Sequence, residues 1–302
     1  FPDYLEFLKN KFNFNPNIKI LLDTTYGTAG PFAERVLEEF GFNVKAVNKE
    51  IKPDFPLGTP DPLSEQVQER IKTEVEESAA DIGITLDGDG DRLGIVDSKG
   101  RFVPNDMLLS IFAKDLLLRK PGSSIVYNVL CSNIVKEEIE AAGGQAIMWK
   151  TGHSNIKEKM VETNALFGGE ISGHFYFKED FFGHDDAIYA MLKVLSILED
   201  SQKKIDDYFD ELNRYITSPE IVKTIDAQKI SNYMQQVKTM LLERYPDAKV
   251  SEIDGIRLDF NDGMIVVRPS QTSPSIKIRF ESKDKSIYEN IRSFFSDFSN
   301  IP

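Results

Sequence analysis

The sequence predicts an α/β protein: two similar α/β domains, each of three layers around a mixed sheet, followed by a smaller α+β domain. Three observations carry this expectation. Short apolar runs of strand length alternate with amphipathic helical stretches from Ile18 to about Leu198. The alternation restarts after residue 101 with similar spacing. Beyond residue 208, two helical stretches instead flank short apolar strands. The expected domains are 1–101, 102–208 and 209–302, and no low-complexity or Pro/Gly linker separates them, so they should pack directly on one another.

The elements follow in order. Ile18–Asp23 reads as a strand ending in a turn from Thr24 to Gly30; Pro31 opens a helix through Phe40, and Gly41 stops it. Asn43–Val47 is a strand, Pro62 opens a helix to about Glu77, and the apolar runs Asp81–Leu86 and Leu93–Val96 are buried strands. In the second unit Asn105 caps a helix through Leu118, Ser124–Tyr127 is a strand, and Ser132 caps a helix to about Ala142. Gln145–Trp149 is a strand, Ser154 begins a helix to Thr163, and the run Ala165–Glu170 passes into a loop. Asp185-Asp186 caps a long helix to about Leu198, and the polar stretch Glu199–Lys204 marks a boundary. In the last unit, helices at 227–244 and 284–298 flank strands at 256–260, 263–267 and 276–281.

Composition narrows the function. At 302 residues, two or three domains are expected, and 41% hydrophobic with 28% charged residues is a soluble globular composition. A net charge of −13 argues against nucleic-acid binding, although local arginines and backbone amides can still receive an anionic small substrate. The single cysteine, Cys131, excludes an internal disulfide and fits a reducing, cytoplasmic compartment. No apolar run approaches the length of a membrane span, and there is no signal peptide. The first residue is Phe1 rather than Met, so a fragment or processed form is expected.

The most informative run is Asp87-Gly88-Asp89-Gly90-Asp91-Arg92. Three carboxylates this close repel one another unless a cation sits among them, and oxygen ligands suit a hard divalent ion, Mg²⁺ first. The glycines let the carboxylates converge on one point. A plain solvated turn seldom stacks three Asp between apolar strands. An EF-hand needs Gly and Glu where Arg92 and Ser98 stand, so that reading fails. A metal site beside a phosphate remains, with Arg92 as the phosphate partner.

Three further loops accompany it. Lys150-Thr151-Gly152-His153-Ser154 joins a strand to a helix N-terminus, a place for an anionic or hydroxylated ligand and equally a capping motif. In Gly169-Glu170-Ile171-Ser172-Gly173-His174, Glu170 and Ser172 supply an acceptor and a donor for a pair of sugar hydroxyls, and His174 can carry a proton near neutral pH. The competing reading makes Glu170 and Ser172 plain surface residues. His184, the remaining histidine, reads as structural or peripheral. In Arg268-Pro269-Ser270-Gln271-Thr272-Ser273-Pro274, a guanidinium, three hydroxyls and an amide between two strands make a phosphate cradle. A hydroxyl-rich hairpin turn explains the prolines but not the arginine.

With these loops the chain resembles the α-D-phosphohexomutase superfamily, most closely its bacterial and archaeal phosphomannomutase/phosphoglucomutase branch. That family's metal loop reads Asp-Gly-Asp-Gly-Asp-Arg, its sugar loop Gly-Glu-x-Ser-Gly-His and its phosphate loop Arg-Pro-Ser-x-Thr-x-Pro, as at 87–92, 169–174 and 268–274. The phosphoglucosamine mutases differ in their metal and phosphate loops. The resemblance implies four domains around a deep cleft and reversible exchange of phosphate between C1 and C6 of a hexose phosphate, through a phosphoserine and a bisphosphorylated sugar. It implies that Asp87, Asp89 and Asp91 hold Mg²⁺, that Arg92 steadies the transferred phosphoryl group, and that Glu170 and Ser172 grip sugar hydroxyls. It further implies that His153 contacts the sugar, His174 carries a proton, and Arg268, Ser270, Gln271 and Thr272 clamp the other phosphate. The implied partners are mannose or glucose 1- and 6-phosphate.

Two features depart from the family. Its phosphoserine loop, Thr-Ala-Ser-His-Asn-Pro, has no counterpart in these 302 residues, and Leu130 and Asn128 stand where relatives often have Lys and Asp. The leading expectation is domains two to four of a phosphohexomutase, lacking the N-terminal phosphoserine domain and inactive alone. A non-catalytic sugar-phosphate-binding protein derived from a mutase is the alternative; a metal-dependent phosphatase leaves three of the four loops unexplained.

Overall fold

The computed structural model describes residues 1–270 and 273–297. The first unit opens with helix α1 (Pro2–Lys11), then β1 (Lys19–Asp23), α2 (Gly30–Glu39), β2 (Asn43–Val47), α3 (Glu65–Ser78), β3 (Ile82–Leu86), β4 (Leu93–Asp97) and β5 (Phe102–Val103). Its sheet has the order β2-β1-β3-β4-β5, with β1 parallel to β2 and β3, and β4 antiparallel to its neighbours. Strands β3 and β4 are buried along their whole length, which is why both read as continuous apolar runs rather than alternating ones.

The second unit repeats this wiring: α4 (Asn105–Arg119), β6 (Ser124–Asn128), α5 (Asn133–Ala141), β7 (Gln145–Trp149), α6 (His153–Glu162), β8 (Phe167–Gly169), β9 (Phe175–Phe177), α7 (Ala187–Ser201) and α8 (Ile205–Leu212). The order β7-β6-β8-β9, with only β9 antiparallel, matches β2-β1-β3-β4 strand for strand. The third unit is an antiparallel sheet, β10-β15-β14-β13-β12 with β11 also on β15, packed with two helices. Its elements are β10 (Ile216–Thr217), β11 (Ile221–Thr224), α9 (Ile230–Arg244), β12 (Lys249–Ser251), β13 (Ile256–Phe260), β14 (Gly263–Pro269), β15 (Ser275–Ser282) and α10 (Lys285–Asp297). The α/β fold with mixed sheets and a terminal α+β unit is as the sequence predicts.

Several local expectations need correction. Helix α1 has no counterpart among the expected elements; Leu5 and Leu8 bury one side of it in the core, and the Tyr4 hydroxyl donates to both oxygens of Asp186 at 2.8 and 2.9 Å. Helix α3 starts at Glu65, not Pro62, because the Ser64 hydroxyl takes the Val67 amide as N-cap. Asn105 does not cap α4. It lies inside the first turn, and its amide donates to Ile171 O instead. Of the expected acidic pair, Asp186 alone caps α7, accepting from the Tyr189 amide.

The first two units share one core, which runs from Leu5 through Leu22, Ile84, Phe112 and Leu195 to Tyr215. Each fully buried aliphatic chain in it is worth about 1.5–3 kcal/mol. Helix α8 lies across the boundary expected near residue 208. The third unit has its own core around Val237, Leu258, Ile265 and Phe280. It meets the second through a small cluster, Val129, Leu130, Met264 and Val266. Two buried arginines frame that cluster. Arg257 donates to Val129 O, Cys131 O and Asn133 Oδ1 at 2.6, 2.7 and 2.6 Å, while Arg279 donates to Leu130 O and pairs with Asp106 at 3.0 Å.

Candidate active site

The Asp loop, the Thr151–His153 turn and the Glu170 loop follow the parallel strands β3, β7 and β8, at the ends where open α/β sheets bind ligands, while Arg268 lies near the end of β14 in the antiparallel sheet. The Asp loop leaves β3 and returns along β4. Asp87 is 1% exposed and organises the turn: its Oδ1 accepts the amides of Gly90, Asp91 and Arg92 at 2.9–3.1 Å, and its Oδ2 takes Arg92 Nε at 2.7 Å. Gly90 sits at φ +81°, and a Cβ there would lie 2.5 Å from that of Ala29. The turn after β1 backs the loop, with the amide and hydroxyl of Thr28 both donating to Gly88 O at 2.8 and 3.2 Å.

Asp87, Asp89 and Asp91 each offer an oxygen within 4.8 Å of the others. Burial and the charge of Asp87 raise the Asp89 carboxyl above its ordinary value, a mutual repulsion that a cation would relieve. Four donors already engage Asp87, whereas Asp89 is exposed and Asp91 half-buried. This all-oxygen set fits a hard divalent ion such as Mg²⁺.

The 169–174 loop and the start of α7 close onto the Asp loop through backbone contacts. Leu93 N donates to Gly173 O at 3.1 Å, and Ala187 N donates to Gly90 O at 3.0 Å. Gly173 adopts φ +100°, and a Cβ there would lie 2.7 Å from Leu93 O. His174 is thereby set between the two loops. Its Nδ1 lies 2.7 Å from Ser172 Oγ and 3.8 Å from Glu170 Oε1, and its Nε2 lies 3.4 Å from Asp91 Oδ1. Burial opposes the imidazolium, yet the neighbouring Asp91 carboxylate raises its pKa; the same imidazole lowers that of Asp91.

Glu170, 2% exposed, is held at both oxygens: Gly152 N donates to Oε2 at 2.7 Å and the Tyr176 hydroxyl to Oε1 at 2.9 Å. One further step reaches the third unit. Thr151 N donates to Asp254 Oδ2 at 3.0 Å, and Arg268 Nε lies 3.2 Å from the same oxygen as an ion pair, off the hydrogen-bonding line. His153 opens α6 and is exposed. Ser270 closes the β14–β15 turn, its amide donating to Ser275 O at 2.8 Å, and its hydroxyl accepts from Ser273 at 3.2 Å. Gln271 and Thr272 lie outside the described residues.

The structure thus brings Asp87, Asp89, Asp91, Arg92, Glu170, Ser172 and His174 together, and reaches Arg268 through Asp254. Sequence reasoning missed Asp254, which reads as an ordinary Asp-Gly turn, and Tyr176, hidden in the apolar run Phe175–Phe177. It also missed Asp61, whose Oδ1 lies 3.2 Å from Arg92 Nη1. Asp185, expected to cap α7, instead pairs with Lys157 at 2.9 Å and lies beside Asp91 and His174. His184 is exposed, one residue before this pair. Leu130 is buried against Met264 and Val266, and the Oδ1 of buried Asn128 accepts the Ile171 amide at 3.4 Å.

Comparison with known proteins agrees along the chain. The family models described as phosphoglucomutase/phosphomannomutase alpha/beta/alpha domain II, alpha/beta/alpha domain III and C-terminal domain match residues 2–100, 104–215 and 220–297. A phosphomannomutase/phosphoglucomutase of Pseudomonas syringae is 37% identical over 293 residues, covering 97% of this chain and 62% of the relative. A phosphomannomutase of Methanocaldococcus jannaschii is 35% identical over 268 residues, covering 88% of this chain and 58% of its own length. The crystal structure of a phosphoglucomutase/phosphomannomutase family protein from Burkholderia thailandensis superposes with a TM-score of 0.88 at 30% identity, covering 98% of this chain and 63% of that one. The chain therefore spans about three fifths of the length of these relatives.

Proposed function

The chain belongs to the α-D-phosphohexomutase superfamily, and we propose that it supplies the metal, sugar and phosphate loops of a phosphomannomutase/phosphoglucomutase that moves phosphate between C1 and C6 of glucose or mannose phosphates. The observation that carries this reading is the continuous polar path Arg268–Asp254–Thr151–Gly152–Glu170–His174–Asp91, which ties one loop from each unit to the next. A hexose phosphate laid along it has its distal phosphate at Arg268, its ring hydroxyls at Glu170 and Ser172, and its reacting hydroxyl at His174.

Phosphoryl transfer asks mainly for positioning and charge stabilisation. Asp87, Asp89 and Asp91 would hold Mg²⁺, which when bound offsets the charge of the phosphoryl oxygens. Arg92 faces the same group from the loop's end. As the sugar oxygen bonds to phosphorus and the phosphorus–serine bond breaks, the sugar hydroxyl gives up its proton. His174 is the proton carrier beside that hydroxyl, its ring held by Ser172 Oγ 2.7 Å from Nδ1. The phosphoserine is supplied from outside these 302 residues, and a buried, unpaired Cys131 suits a reducing, cytoplasmic setting.

The test is a mutase assay with glucose 1-phosphate and mannose 1-phosphate on the protein as its gene encodes it. Asp89→Ala is expected to lower the rate by roughly 100-fold or more; activity that survives it refutes the metal role. The 302-residue chain alone is expected to bind hexose phosphates without turnover, and a clear rate from it overturns that part. A second reading, a sugar-phosphate-binding protein derived from a mutase, draws on the apolar burial of Leu130 where relatives place a cation. Ligand binding with no rate from the gene-encoded protein would favour it.

A further inference from the structure

Arg92 faces carboxylates on two edges. Its Nε donates to Asp87 Oδ2 at 2.7 Å, and its Nη1 lies 3.2 Å from Asp61 Oδ1 as an ion pair, off the hydrogen-bonding line. Asp87 belongs to the same loop, but Asp61 arrives on a separate and stiff segment between Pro60 and Pro62. There Asp61 Oδ1 accepts the Leu63 amide at 2.9 Å and Asp61 O accepts the Ser64 amide at 3.0 Å, so the carboxylate is fixed before it meets the arginine. Both prolines seat on glycines of the metal hairpin. A Cβ on Gly88 would lie 2.9 Å from Pro60 Cγ, and one on Gly94 would lie 2.8 Å from Pro62 Cβ.

A guanidinium hydrogen-bonded at Nε alone keeps freedom to tilt, whereas a fixed second carboxylate 3.2 Å from Nη1 draws that edge toward it by charge and favours one tilt. Asp61 does so without joining either group of side chains that could hold a metal among the described residues, Asp87, Asp89 and Asp91 on this loop, or Asp91 with His174 and Asp185. We propose that Asp61 is a positioning residue for phosphoryl transfer: its carboxylate, carried on the Pro60–Pro62 turn seated against Gly88 and Gly94, locks the Arg92 guanidinium toward the transferring phosphoryl group. This rests on the phosphohexomutase reading of the site.

The experiment compares Asp61→Asn, Asp61→Glu, Arg92→Lys and the Asp61→Asn/Arg92→Lys double variant in the protein as its gene encodes it. Asp61→Asn is expected to lower kcat about tenfold, the scale of a sub-ångström misplacement, with KM for glucose 1-phosphate and the half-saturating Mg²⁺ concentration within twofold of the parent. Asp61→Glu should recover most of the rate, and Asp61→Asn should cost nothing further on top of Arg92→Lys. An unchanged kcat, or losses that multiply in the double variant, overturns the proposal. The Nε–Hε resonance of Arg92 in arginine-labelled protein decides the matter even if the parent shows no mutase rate, a result that would count against the proposed function alone. Asp61→Asn should broaden or shift that resonance, and an unmoved signal overturns the lock.

Discussion

Replacing Arg257 by Met tests how the third unit is held to the second. The side chain is 2% exposed and carries three hydrogen bonds across the junction, to Val129 O, Cys131 O and Asn133 Oδ1, and a 2.8 Å pair with Asp259 in its own strand. Met keeps most of the volume, so the loss is polar rather than a cavity. Each acceptor left buried without its donor costs about 1–3 kcal/mol, and the Asp259 carboxylate, 28% exposed, can be rehydrated and adds less. These contributions overlap, so about 4 kcal/mol is expected, a large share of the roughly 5–15 kcal/mol that holds a domain folded. Hydrogen exchange of the 129–133 amides reads the junction directly, and 4 kcal/mol of easier opening corresponds to roughly 1000-fold faster exchange. Urea unfolding followed through the single tryptophan, Trp149, reads the second unit in parallel. Arg257→Lys keeps the charge but not the fork and should fall between parent and Met. Exchange within threefold of the parent in Arg257→Met would refute the claim that this arginine fastens the junction.

Two further outcomes are expected. Gly27→Ala places a Cβ 2.7 Å from Asp87 O and 2.8 Å from Gly88 O, both backbone atoms, so the Asp loop must shift. Mn²⁺ affinity measured by electron paramagnetic resonance should fall about tenfold, as when a ligand's support is removed, and unchanged affinity would show that the turn after β1 does not back the loop. Glu281 is buried, and burial raises its pKa against the pull of Arg279. Its favourable contribution is therefore fully present below the unfolded carboxyl value and is lost as pH rises through the folded one. Glu281→Gln removes that loss, so between pH 4 and pH 8 its unfolding midpoint in urea should fall less than the parent's; parallel pH dependences would refute the assignment.

The convergence of the Asp loop and the 169–174 loop was legible in the sequence because their polar groups are local: three carboxylates in five residues, and Glu170, Ser172 and His174 within five. The alternation of strands and helices was legible for the same reason. What escaped were groups whose meaning depends on a distant partner. Asp254 looks like any turn residue until Thr151 and Arg268 are placed on its Oδ2. Asp61 lies 31 positions before Arg92 and is masked by two prolines that suggest a helix start. Helix α1 gains its stability from contacts near Asp186, at the far end of the second unit. Asn105 carries a side chain suited to capping, but the carbonyl of Ile171 competes for it successfully.

The contacts of Gly90 and Leu93 with Ala187 and Gly173 also set an order of events during synthesis. The Asp loop is complete as sequence by Arg92, yet the amide that Gly90 O accepts belongs to a residue made 95 positions after that arginine. At roughly 5–20 residues per second, a ribosome leaves the acidic turn without its wall for about 5–20 s. During that interval three like charges sit on a hairpin that lacks its contacts with the second unit. The nascent chain therefore passes through a stage in which its acidic turn is shaped on the first-unit side alone, and the contacts from Ala187 and Gly173 complete its surroundings last.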